Sequence, residues 1–164
     1  MKLFAYPLLL LAGVGFLLSV MAHLMGLCGK VLPGGGLVWL LHIGIFVVWP
    51  PAILISNNQR RDPAHKAHWE PLIAGGPIWM RRAIKVLFAY AIVNFLLFMA
   101  GTFAHPKPKG PAPPSIVRGF SGHWMVFYGV AFVTFYSAVN APSLRRTDNS
   151  PKKHSTPMDT ASDL

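Results

Sequence analysis

The chain has 164 residues, 53% of them hydrophobic and only 12% charged, with a mean hydropathy of +0.45. Soluble domains carry about 25% charged residues, and the shortfall is that of a chain embedded in lipid. The net charge of +10 does not point to nucleic acid, because the basic residues sit beside long apolar runs, where topology accounts for them. The single cysteine, Cys28, excludes an internal disulfide and a CxxC redox pair.

The first span is expected at about residues 3–27. A signal peptide is the rival reading, with Val20-Met21-Ala22 as a small-residue cleavage site. The apolar run is about 25 residues, longer than a signal core, and it continues through Leu24 and Leu27. Gly15, Ser19 and His23 recur at i, i+4, i+8, which places them on one helix face. Small residues at this spacing let helix backbones approach in lipid, so His23 belongs on or near a packing face. Gly26–Gly36 follows as a tight connection whose glycines and Pro33 exclude helix. A loop this short makes the first two spans antiparallel neighbours.

The second span, about 37–55, is the reference stretch of the chain: nineteen residues without a charge and with one histidine, His42. Pro50-Pro51 should kink it and free carbonyls near Phe46 and Val47. Asn57–Lys85 is the longest expected loop. Its Asp62, His65, His68 and Glu70 lie close in sequence, but Pro63 and Pro71 leave room for only about two helical turns. The segment reads as a polar loop rather than a zinc site, which needs four ligands. Trp69 and Trp79 suit headgroup depth.

The third span is about 86–103. Asn94 is its one strongly polar side chain and reads as interhelical glue, with Tyr90, Phe98 and Gly101 on its face. His105–Ser115 is proline-rich and reads as an extended polyproline connector. The fourth span, about 116–139, is the most polar. Its His123, Phe127, Val130, Thr134 and Ser137 share a face, so much of it should meet protein. The resulting fold class is an all-α membrane protein, a four-transmembrane-helix bundle over residues 1–142. A disordered, basic tail is expected over 143–164.

Eleven Lys and Arg residues fall on the side shared by the N-terminus, the long loop and the tail, against four on the other. This asymmetry predicts both termini in the cytoplasm, N-in and C-in, as in a bacterial inner (plasma) membrane. All five acids lie on the cytoplasmic side and none lies in a span.

His23, His42, His105 and His123 then gather at the outer end. His42 and His123 lie roughly 8–10 Å inside the apolar boundary at the helical rise. Two imidazoles from different helices could hold a haem b iron, with room at Gly44 and Gly122. With His23 added, the same set could hold a metal ion. The competing reading is that these are hydrogen-bonded structural residues.

The function expected first is a non-enzymatic accessory, assembly or scaffold subunit of a larger membrane complex or a homo-oligomer. The alternative is a haem b or metal-binding electron-transfer protein acting through the outer histidines, with quinone as a candidate partner. Transport coupled to cations is disfavoured because no acid lies in a span. Ser121 and His123, at i, i+2, point apart and do not make a nucleophile–base pair.

Overall fold

The computed structural model describes residues 2–30, 33–59, 70–73, 75–104 and 114–140. The expectations for the His65/His68 loop, Trp69, His105, residues 105–113 of the proline-rich connector and the tail lie outside these residues.

Among the described residues the chain is all-helical: α1 (Lys2–Leu27), a 3₁₀ turn (Gly35–Trp39), α2 (Leu40–Gln59), α3 (Glu70–Ile73), α4 (Ile78–Ala104) and α5 (Pro114–Asn140). Four of the helices are long and apolar enough to cross a membrane. Their large outward side chains include Phe4, Leu10, Leu17, Phe46, Val86 and Leu97. Soluble monomers rarely expose contiguous apolar patches of this extent.

α1 ends where Gly29 turns left-handed at φ 69°. There the Lys30 N–H donates to Met25 O at 2.9 Å and the Gly29 N–H to Gly26 O at 3.2 Å. This bond pair satisfies the last carbonyls and needs a residue tolerant of positive φ. The first three residues of the expected second span form the end of the 3₁₀ turn, a tighter winding common at helix starts. α2 then runs through Pro50 and Pro51 to Gln59 as one helix, so the prolines do not end it.

Three boundaries depart from the sequence expectation. α4 starts at Ile78, not Val86, and so includes Arg81, Arg82 and Lys85. Charge marks where apolar surroundings end, whereas a helix of good helix formers continues past that point. Asn57, Asn58 and Gln59, within the expected loop, form the end of α2. Pro114 and Ser115, expected in the extended connector, open α5. Proline suits the first turn because its missing N–H would have no partner there.

α5 is the hub, rather than the second span. Of its most apolar stretch 61% is buried, against 28%, 22% and 17% for the spans of α1, α2 and α4. α1, α2, α3 and α4 all pack on it. α1 does so through Ala5, Ala12, Gly15, Ser19, Ala22 and Gly26, all buried. From Ala12 the spacing alternates three and four residues, a continuous seam of small side chains that brings the two backbones close.

α4 meets α5 where Phe98 covers Gly119 and Asn94 covers Gly122. The Asn94 Nδ2 donates to Arg118 O at 3.1 Å and to Gly119 O at 3.4 Å. Asn94 is therefore interhelical glue, as its sequence position suggests. Asn94→Leu is expected to cost about 0.6–2 kcal/mol, read as a lower thermal midpoint in fixed detergent. An unchanged midpoint would show that these two bonds contribute nothing to the α4–α5 contact.

Candidate functional site: two histidine environments on one turn of the central helix

His23, His42 and His123 lie level with one turn of α5, residues 121–124, on different sides of it. The histidine on α1 enters a polar relay. Ser121 Oγ donates to Arg118 O at 3.0 Å, which uses its one proton. It must then accept from His23 Nδ1–H, 2.9 Å away. The neutral ring keeps Nε2 as an acceptor, and the Tyr90 hydroxyl donates to it. One tautomer satisfies the whole relay, and it ties α1, α4 and α5 together.

Ser121 does meet a histidine, but one 98 residues away in sequence rather than His123. It is fully buried and already donates to a backbone carbonyl, so its oxygen is not presented as a nucleophile.

The other two histidines do come together. His42 and His123 have ring centroids 5.9 Å apart and nearly perpendicular planes. Phe120 lies 6.2 Å from His42 and 5.3 Å from His123. Trp124 lies 6.3 Å and 6.2 Å from the same two rings, and 6.4 Å from Phe120. The four rings thus form a closed cluster in which each touches the other three. Trp39 adds a fifth ring, 5.8 Å from Trp124.

Trp124 is fully buried, and its indole N–H donates to His42 Nδ1 at 3.0 Å. Neutral His42 therefore carries its proton on Nε2.

His123 differs from the other two. Among the described residues neither of its ring nitrogens has a hydrogen-bond partner. It lines a cavity of about 580 Å³ between α2 and α4, floored by α5. The walls are Trp49 from α2, Phe88, Ile92 and Phe95 from α4, and Val126 and Phe127 from α5. Trp49 and Phe127 pack edge-on at 4.8 Å. A second cavity of about 300 Å³ lies on the other side of α4, between it and α1.

The structure thus pairs His42 with His123 and places His23 apart, on Ser121. Among the described residues no group of three or more His, Cys, Asp or Glu side chains is arranged to hold a metal ion. The room expected for haem at Gly44 and Gly122 is taken: the Tyr128 hydroxyl stands at Gly44 and the Asn94 amide at Gly122. The lateral cavity and the Tyr90–His23–Ser121 relay are what sequence reasoning missed. A shared face of His123, Phe127 and Val130 was the available signal for the cavity, since all three line it.

These features define an all-helical chain with four potential membrane-crossing helices, consistent with an integral membrane protein. Comparison with protein families, with curated proteins and with solved structures finds no match.

Proposed function

We propose that this chain is a small integral protein of a bacterial inner membrane, with both termini cytoplasmic, that serves as a non-enzymatic accessory, assembly or scaffold subunit of a larger membrane complex or homo-oligomer. The observation that carries this reading is the isolation of α4. It packs on α5, leaves a cavity on each side, and has only 17% of its apolar stretch buried. Its outward side chains Val86, Val93 and Leu97 fall on one stripe. In lipid, helices associate by packing rather than by hydrophobicity, so a smooth stripe of this kind suits a second helix as well as acyl chains.

The test is the mass of the particle released by gentle extraction at native abundance, after crosslinking. A particle larger than one 18.0 kDa chain with its lipid, reduced to the single chain by Val93→Trp, is the expected result. A single chain under all mild conditions would refute the proposal.

A second reading, a haem b or metal electron-transfer protein, is favoured by the approach of His42 to His123. Zinc or iron bound at about 2 Å from each imidazole nitrogen would put the ring centroids about 5–6 Å apart. A porphyrin is less well accommodated. It would have to displace Phe120 and Trp124, which pack against both imidazoles. A reduced-minus-oxidised spectrum with metal analysis decides the matter. A Soret band near one haem per chain, lost in His42→Ala, would establish this reading. A flat spectrum without stoichiometric metal, from cells supplied with both, would remove it.

A further inference from the structure

We infer that the cavity between α2 and α4 is a binding site for a membrane-soluble quinone, with the ring carbonyl held by His123. The inference goes beyond the subunit proposal and does not depend on a bound haem.

The volume of about 580 Å³ is within the range of small-molecule sites, about 300–1,000 Å³. The walls are apolar, and Trp49, Phe88, Phe95 and Phe127 are among the side chains that line them. Flat rings pack well against such walls. The cavity lies between two helices that scarcely touch, so a ligand dissolved in the bilayer enters sideways without crossing water.

His123 supplies the chemistry. It is the one ionisable side chain in the lining. The half-buried His123 ring opens onto this apolar cavity. An imidazole N–H that faces hydrocarbon without a partner is costly, and a ligand acceptor removes that cost. His123 lies five residues past Arg118, about 8 Å deeper along α5 by the helical rise. A phospholipid keeps its polar group at the interface, and its acyl chain would leave the imidazole unpaired. A quinone carries its carbonyls on a ring at the end of an apolar tail, so it brings an acceptor to this depth. The second cavity, beside α1, has no ionisable lining residue and makes no such demand.

The experiment uses the full chain in phosphatidylcholine nanodiscs and a short-tailed benzoquinone as probe. Bound quinone is measured against empty nanodiscs. Saturable binding near one per chain is expected. Ile92→Trp, which fills the cavity from an outward-facing wall position, should return binding to the empty-disc level. His123→Leu should weaken binding at least tenfold, whereas His123→Gln, which keeps an N–H donor, should stay within about threefold.

Thermal midpoints within a few degrees of the parent confirm that the variants fold. Should His123→Leu fail to fold, Ile92→Trp and His123→Gln carry the test. Binding at the empty-disc level in the parent would overturn the inference. So would equal binding by His123→Leu, or equal competition by a hydrocarbon of the same tail length. A Soret band abolished by His123→Leu would commit the imidazole to iron and overturn it as well.

Discussion

Trp124→Ala is expected to destabilise the protein by about 3–5 kcal/mol, the range for truncating a fully buried aromatic ring. The side chain has no exposed surface and touches Trp39, His42, Phe120 and His123. Lipid does not weaken this expectation much. The alternative environment in a bilayer is as apolar as the core, so what is lost is dispersion across a closely packed cluster rather than hydrophobic burial. The indole also keeps His42 Nδ1 satisfied, and alanine leaves that nitrogen without its donor.

Trp124→Phe is the intermediate case. It retains a six-membered ring in the cluster but removes the pyrrole half of the indole together with its N–H, so it should cost less than alanine, about 1–3 kcal/mol. Both are read from unfolding midpoints in one detergent. A loss below about 1 kcal/mol for the alanine variant would mean that the cluster is loose enough to collapse around the gap.

The sequence displays the helices more clearly than it displays their rotations. Four apolar runs become four long helices because length and lack of charge are local properties. The polar and small residues of the last run, Ser121, Gly122, Gly129 and Thr134, announced a helix surrounded by protein. α5 is that helix, with Thr134 Oγ1 donating to Leu72 O at 2.8 Å. The start of α4 was not legible, since Arg81 and Lys85 interrupt the apolar run without interrupting the helix.

The histidines show the same division. Counting residues from the span ends put His42 and His123 at equal depth, and they do meet. Equal depth said nothing about azimuth. His23, at a similar level, is turned to Ser121, on another side of α5 from His123. Nor could one sequence reveal that Tyr128 and Asn94 fill the spaces at Gly44 and Gly122, because those contacts join residues far apart in the chain.

Tyr128 provides the sharpest test of the packing. Its ring lies against Gly15 of α1 and its hydroxyl against Gly44 of α2, while that hydroxyl donates to Leu41 O at 2.8 Å. One side chain from the hub therefore fixes the distance to two other spans, and both glycines are present because a β-carbon would strike it. Gly15→Val should cost at least about 1–3 kcal/mol by overpacking, despite any gain in helix propensity.

The identity of the striking atoms predicts which partner substitution relieves each clash. At Gly15 it is the ring, so Tyr128→Ala should cancel the penalty of Gly15→Val and Tyr128→Phe should not. At Gly44 the nearest atom is the hydroxyl oxygen, with the ring carbon behind it at 3.4 Å. Gly44→Ala should therefore be relieved by Tyr128→Phe alone, apart from the Leu41 bond that the phenylalanine forfeits. Coupling energies of about 0.5–3 kcal/mol are expected in the two cycles, since residues in contact do not behave additively. Additive penalties in both cycles would place Tyr128 elsewhere than between α1 and α2. Relief of Gly15→Val by the phenylalanine would mean that the hydroxyl, not the ring, faces α1.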